Sequence, residues 1–207
     1  MQPYDLSSGG STAMCPPQFP ELALMKPRIA VLGCGYWGSN HIRTLKGLGA
    51  LHAVSDMNRA RAEGFASEQG CLAIDPDELF YREDVDAIVM ALPPQFHSEL
   101  AVRAVEAGKD VLVEKPIALT VADGERAVAA ARNRSRIFMV GHVLRFHPAF
   151  EQLKALIDAG DIGEVKYIHS HRLGLGKFHT ENDALWDLAP HDLSMILAIT
   201  GVPPLEV

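Results

Sequence analysis

Short apolar runs alternate with longer helical stretches from Pro27 onward. The apolar runs cover residues 28–33, 51–56, 86–92, 110–115 and 136–142. The stretches between them are long enough for helices, around 36–48, 59–69, 95–107 and 121–133. Strands that alternate with helices are typical of a parallel, doubly wound α/β sheet. Because the runs are apolar throughout, we expect strands that are covered on both faces.

A second pattern begins near residue 146. Pro148 starts a helical stretch that Gly160 ends, and a long apolar strand is expected over 163–173, before a loop and a helix through 188–199. We therefore divide the chain into three parts. Residues 1–26, rich in Ser, Gly and Pro, are expected to be a disordered leader, with the true start at Met1 or Met25. Residues 27–145 are expected to form the doubly wound domain, and residues 146–207 to begin a second domain that is incomplete here.

Composition excludes several classes of protein. The chain has 207 residues and a net charge of −7 without a basic stripe, which argues against nucleic acid as a partner. No apolar run approaches the roughly 20 residues that span a bilayer. The three cysteines, Cys15, Cys34 and Cys71, have neither disulfide nor metal spacing, so a reducing cytoplasm is the simplest compartment.

The strongest motif is the glycine-rich stretch after the first strand. Gly33, Gly35 and Gly38 form G-x-G-x-x-G and open a helical stretch, which is the context of a dinucleotide-binding loop. Gly33 allows the tight turn, Gly35 lets the backbone approach a pyrophosphate, and Gly38 lets the helix pack against the strand. The alternative is a strand–helix turn that holds no ligand.

An acidic residue supports the nucleotide interpretation. Asp56 ends the second strand, 21 positions after Gly35, where a carboxylate accepts hydrogen bonds from the ribose hydroxyls. A carboxylate there would also repel a 2′-phosphate, so NAD is favoured over NADP. Arg59 lies three residues after Asp56, and its positive charge would weaken the expected preference for NAD over NADP.

Polar motifs follow three of the expected strands, at the edge where ligands bind in such sheets. They are "ALPPQFH" ending in His97, "EKP" at 114–116, and "GHVLRFHP" with Arg145. With the D-x-x-x-H at 187–191, this set resembles the glucose–fructose oxidoreductase, inositol dehydrogenase and MocA-like family, from Pro27 to about Gly201. The resemblance implies a Rossmann domain, a second α/β domain with an open sheet, homo-oligomers in the full-length protein and an NAD-dependent sugar dehydrogenase.

The resemblance assigns roles to residues. Those expected to bind the cofactor are Gly33, Gly35, Tyr36, Trp37, Gly38, Asp56, Met57, Leu92, Pro93, His97, Glu114 and Lys115. Lys115 is expected to hold the reacting hydroxyl oxygen, and Pro116, often cis in the family, to fix its direction. His191 is the expected general base, with Asp187 on the same helix face to orient it. Because proline is tolerated in a first turn, we expect that helix to start near Asp187, with Pro190 in its first turn.

Each of these residues has a plainer alternative. Lys115 could be a solvated strand-end lysine, Asp187 an N-cap, His191 a buried structural histidine and His97 a helix cap. Arg145, Arg172 and Lys177, together with Lys115 and His191, are the expected substrate-binding residues. No third ligand accompanies His169 and His171, so no metal is expected.

The stretches "GYWGSN", "RLGLGKF" and "LWDLAPHDLSMIL" resemble the subgroup that oxidises UDP-N-acetylglucosamine or its uronic acid at C3, for surface polysaccharide synthesis. A free polyol such as inositol is the rival substrate. A non-catalytic nucleotide-binding fragment is the rival class, since only about 60 residues follow the Rossmann domain.

Overall fold

The computed structural model describes residues 26–172 and 184–206. The expected leader lies outside the described residues except for Lys26, and the substrate-binding candidate Lys177 lies outside them as well.

Six parallel strands form one sheet in the order β3-β2-β1-β4-β5-β6. The strands are β1 (Ile29–Leu32), β2 (Leu51–Ser55), β3 (Leu72–Ala73), β4 (Ala87–Met90), β5 (Asp110–Val113) and β6 (Phe138–Val140). The helices are α1 (Tyr36–Leu48), α2 (Arg59–Gln69), α3 (Pro76–Leu79), α4 (His97–Glu106), α5 (Val121–Asn133), α6 (Pro148–Asp158) and α7 (Ala184–Thr200). This strand order is that of the Rossmann fold, so the predicted doubly wound sheet is confirmed.

Both faces of the sheet are covered, as the uninterrupted apolar runs indicated. On β1, Ala30 and Leu32 belong to an apolar cluster that includes residues of α4 and α5. Val31, between them, points to a second cluster built with Ile42 of α1 and Ala62 of α2. Because successive strand residues face opposite sides, one apolar run supplies both clusters.

Local signals in the sequence explain where several helices begin. The side chain of Asn58 accepts a hydrogen bond from the Arg61 amide at the start of α2, and Thr120 does the same for Asp123 at the start of α5. Pro148 occupies the first turn of α6, where its missing N–H costs nothing. These caps hold helices whose N-termini or preceding loops reach the carboxyl edge of the sheet.

Two expectations beyond the sheet are wrong. No strand forms within residues 164–172, which are exposed, since no neighbouring strand within the described residues offers them a ladder. Helix α7 begins at Ala184 rather than near Asp187, so Pro190 lies inside the helix and removes one of its backbone hydrogen bonds. Within the described residues, no helix has the length and apolar character to cross a membrane.

Candidate active site

The loop between β1 and α1 can only be built from glycine at two positions. Gly33 has φ +95°, and a Cβ there would lie 2.3 Å from the Ala91 carbonyl oxygen. A Cβ on Gly38 would lie 1.8 Å from the Gly33 carbonyl oxygen. Gly35 is different, because a Cβ there meets no protein atom within 4 Å. Two glycines therefore let the chain pack on itself, while the third borders open space.

Asp56 is engaged by the protein more completely than the sequence analysis expected. Its Oδ2 accepts from the Cys34 amide at 2.7 Å and from Arg61 Nε at 3.1 Å, and its Oδ1 accepts from the Asn58 amide at 2.7 Å and from Arg61 Nη2 at 2.8 Å. Burial alone would raise the pKa of the carboxyl, but the hydrogen bonds from Arg61, Cys34 and Asn58 outweigh it and keep that pKa below its ordinary value.

Nothing in the sequence indicated that protein groups already engage this carboxylate. Four hydrogen bonds fill the acceptor sites of a carboxylate, and the side chain is only 4% exposed. Arg59, which the sequence analysis suspected, instead pairs with Glu63. Arg61 is the residue that the sequence reasoning missed, and nothing in the local pattern distinguishes it from Arg59.

Two adjoining cavities lie along the carboxyl edge of the sheet. The first, of about 510 Å³, borders Asp56 and Arg61, and the second, of about 570 Å³, borders Lys115 and Asp187. They share Gly35 and the segment 91–93. Ten of the twelve expected cofactor residues line one or both cavities: Gly33, Gly35, Tyr36, Trp37, Asp56, Met57, Leu92, Pro93, Glu114 and Lys115.

The other two expected cofactor residues lie behind the cavity walls. Gly38 packs under the glycine loop. His97 is fully buried, with Nδ1 2.7 Å from the Pro116 carbonyl oxygen and Nε2 2.8 Å from the Leu92 carbonyl oxygen. The expectation of direct cofactor contact by His97 is therefore corrected: its ring packs between two segments of the chain behind the cavity walls. The Lys115–Pro116 peptide bond is cis.

An ion pair joins the strand-end crevice to α7. Lys115 Nζ donates to Asp187 Oδ1 at 2.6 Å and to the Asp187 backbone carbonyl at 2.7 Å. Asp187 was expected to orient His191 from the same helix face, and its pairing with Lys115 had no signal in the sequence. Lys115 and Asp187 both border the second cavity, so the ion pair holds the ammonium group at that cavity.

His191 lies one turn along α7 from Asp187 and is largely buried. Burial lowers its pKa, and the nearby charges of Lys115 and Arg172 lower it further. A histidine with a lowered pKa is neutral at neutral pH and can accept a proton. The structure thus places Lys115 and Asp187 at the second cavity, with His191 one turn further along the same helix and close enough to feel the lysine's charge.

The carboxylate of Glu114 connects the crevice to α1. His41 Nε2 lies 2.7 Å from Glu114 Oε1, and both side chains are mostly buried. His41 was not singled out in the sequence, because a partner 73 positions away leaves no local signal. The pair fixes the "EKP" segment against the helix that carries the glycine loop.

The remaining substrate candidates have different surroundings. Arg172 donates to Asp192 at 2.7 Å, and Ser170 shares that carboxylate. Arg145 follows β6 and is exposed, and its charge helps to lower the pKa of the partly buried His142 after the larger effect of burial. His142 itself was missed in the sequence. Among the described residues, no three side chains of the metal-binding types form a metal site.

Comparison with known proteins decides the family. A family model described as "Oxidoreductase family, NAD-binding Rossmann fold", that of the Gfo/Idh/MocA proteins, matches residues 27–142. The chain belongs to this family. The match spans the sheet, the glycine loop and the "EKP" segment, so the resemblance inferred from those motifs is confirmed.

Relatives within this family differ in their substrates. Inositol 2-dehydrogenase 1 of Saccharopolyspora erythraea is 42% identical over 70% of this chain and 45% of its own length. UDP-N-acetylglucosamine 3-dehydrogenase of Acidithiobacillus ferrooxidans is 32% identical over 87% of this chain and 56% of its own length. The solved structure of the latter enzyme superposes with a TM-score of 0.77 over 86% of this chain and 58% of that one.

A 3-ketoreductase from Actinomadura kijaniata, solved with NADP and TDP-benzene, is 30% identical with a TM-score of 0.60, over 65% of this chain and 42% of its own. The chain spans about half the length of the curated relatives it matches. The family's dinucleotide fold is therefore present, whereas activity and substrate are matters of proposal.

The two kinds of glycine in the loop generate a paired prediction. Gly38→Ala forces the loop carbonyl aside and should destabilise folding by about 1–3 kcal/mol, the usual cost of overpacking. Gly35→Ala meets no protein atom and should change the free energy of unfolding by less than about 0.5 kcal/mol. Gly35→Ala should nevertheless weaken dinucleotide binding, because the added methyl group occupies space beside the cavities. Denaturant unfolding and nucleotide titration of both variants test this, and equal stability losses would contradict the assignment.

Proposed function

We propose that this chain carries the crevice of an NAD-dependent dehydrogenase that oxidises a sugar hydroxyl. The observation that supports it most is the Lys115–Asp187 ion pair, because it holds an ammonium at a cavity that adjoins the glycine loop. His191, one helical turn away, supplies a neutral base beside that ammonium. A dinucleotide loop, a fixed cation and a base are the groups that oxidation of an alcohol requires.

The chemistry divides between these side chains. NAD, when bound, supplies the hydride acceptor at C4 of its nicotinamide. His191 takes the hydroxyl proton at a ring nitrogen, and Lys115 donates a hydrogen bond to the same oxygen, which stabilises its developing negative charge. Asp187 holds the lysine in place through both its carboxylate and its backbone carbonyl. Glu114, fixed by His41, keeps the strand end in position.

For the substrate we propose C3 of a UDP-N-acetylhexosamine or its uronic acid, in surface polysaccharide synthesis. The support is the UDP-N-acetylglucosamine 3-dehydrogenase that aligns with 87% of this chain at 32% identity. A free polyol of the inositol type is the second candidate, supported by 42% identity over 70% of the chain. Binding of UDP-N-acetylglucosamine and of myo-inositol, each with NAD present, tests the choice.

The partners we propose follow the same line. A small sugar or nucleotide-sugar is the ligand, and the acidic net charge of −7 disfavours nucleic acid. Homo-oligomers are proposed for the full-length protein in keeping with the family.

NAD is the nucleotide we propose. Arg61 determines how strongly NAD is preferred over NADP. Arg61 neutralises Asp56, so Arg61→Ala should leave an unpaired carboxylate that repels a 2′-phosphate and should widen the preference for NAD over NADP about tenfold. Asp56→Ala removes that carboxylate and frees Arg61 to pair with a 2′-phosphate, so it should narrow the preference for NAD about tenfold. Titration of both nucleotides against each variant gives these ratios.

Arg59→Ala is the matched control for Arg61→Ala, because Arg59 pairs with Glu63 rather than with Asp56. It should leave both affinities unchanged. Tighter binding of NADP than NAD by the parent chain would refute the preference, and identical effects of the two arginine variants would remove Arg61 from the account.

The catalytic roles generate a further prediction. Lys115→Met should abolish sugar-dependent formation of NADH while NAD affinity changes little, and His191→Asn should slow the chemical step by about 10²- to 10⁴-fold. Lys166→Met, at an exposed lysine paired with Glu164, is the matched control. Single-turnover measurements with both candidate sugars separate chemistry from binding, and near-normal rates in either variant would remove that residue from the mechanism.

The pH dependence of the same rate should follow His191. Its pKa is lowered by burial and by Lys115, Arg172 and His142, with Glu114 opposing them. Since the neutral ring is the base, the rate should rise with pH through a midpoint below the ordinary value of about 6.5 and then level off. A midpoint well above that value would identify a different base.

A further inference from the structure

His142 presents an unexplained polar atom beside His191. It follows β6 at the carboxyl edge of the sheet, and the two rings meet edge to face with their centroids 6.4 Å apart. Nδ1 of His142 and Nδ1 of His191 are both buried, and neither has a hydrogen-bond partner within residues 26–172 and 184–206. Two such atoms on neighbouring rings are unusual, because buried polar atoms are nearly always paired.

The surroundings of both rings favour their neutral forms. Burial lowers the pKa of His142, and the charges of Arg145 and Lys115 act in the same direction against Glu114. Burial and Lys115 do the same for His191. A neutral imidazole has one N–H and one bare nitrogen, so each ring can both donate to and accept from a hydroxyl group.

A ligand that would satisfy both rings must carry two hydroxyl groups close together. A single hydroxyl can serve one ring and the Lys115 ammonium, which leaves the second ring without a partner. Neighbouring hydroxyls on a sugar or cyclitol ring provide the second group at a fixed short distance. The pair of orphan nitrogens therefore matches a vicinal diol better than an isolated alcohol.

We propose that His142 is a specificity-determining residue that binds the hydroxyl next to the one being oxidised. The inference rests on the proposed function, since it takes His191 and Lys115 as the groups that hold the reacting hydroxyl. His142 and His191 then grip a vicinal diol as a pair, and the substrate class is a pyranose or cyclitol with two free adjacent hydroxyls.

The test compares each candidate sugar with an analogue that lacks the neighbouring hydroxyl. The probes are UDP-N-acetylglucosamine with its 4-deoxy analogue, and myo-inositol with an analogue lacking one hydroxyl adjacent to the oxidised carbon, all with NAD present. The parent chain should bind the intact sugar about 10- to 100-fold more tightly than the deoxy analogue. In His142→Phe the two should bind within about threefold of each other, and His142→Asn should restore part of the difference.

His169→Asn, at an exposed histidine outside the crevice, is the control and should keep the full difference. If His142→Phe weakens intact and deoxy sugars equally while NAD still binds, His142 does not contact that hydroxyl and the inference is overturned. If the parent chain binds neither sugar, both the proposed function and this inference are refuted.

A second measurement does not depend on the variant folding. In ¹⁵N spectra of the parent chain, the Nδ1 resonance of His142 should shift when the intact sugar is added with NAD, and should stay near its free position with the deoxy analogue. Binding of the intact sugar without a shift at His142 would also overturn the inference.

Discussion

The ion pair between Lys115 and Asp187 is the contact on which the crevice depends. Lys115 follows β5, a strand with neighbours on both sides, whereas Asp187 belongs to a helix that adds no strand to the sheet. Their side chains are 12% and 36% exposed, so the pair is shielded on the lysine side and screened less than a surface pair. Because α7 also carries His191, the position of the proposed base depends on the position of the lysine.

Contacts behind the crevice keep that lysine in place. The ring of His97 lies between the Pro116 and Leu92 carbonyls, with a ring nitrogen within hydrogen-bond distance of each, and His41 pairs with Glu114. Each residue belongs to a different element of the sheet domain, so the "EKP" segment is fixed from two sides. A site built on strand ends and supported in this way holds its geometry better than one built on loops alone.

The sheet could be predicted from the sequence because its strands are buried on both faces. Such strands appear as unbroken apolar runs, which local pattern detects without knowledge of the partners. β3 escaped because it is only Leu72–Ala73 and both residues are exposed. The strand expected within 163–173 failed for a related reason: apolar character indicates that a segment can pair, whereas pairing needs a neighbour.

The residues of the site likewise divide into those with a local sequence signal and those without one. Lys115 and His191 were found through motifs, whose spacing is local. Arg61, His41 and His142 were not, because their significance lies in partners that are distant in sequence or in the lack of a partner altogether. One local inference also misled, since Pro190 was expected in a first turn and lies inside α7. Long-range hydrogen bonding is decided by the tertiary fold, and short patterns do not encode it.

The charges around the crevice are largely balanced in pairs. Lys115 and Arg172 lie near His191, but Asp187 pairs with the first and Asp192 with the second, so little net positive charge is left there. The pKa of His191 is lowered first by burial, and the two cations add to that effect. Under the proposed function, burial therefore prepares His191 to accept a proton, while the two ion pairs fix the cations beside it.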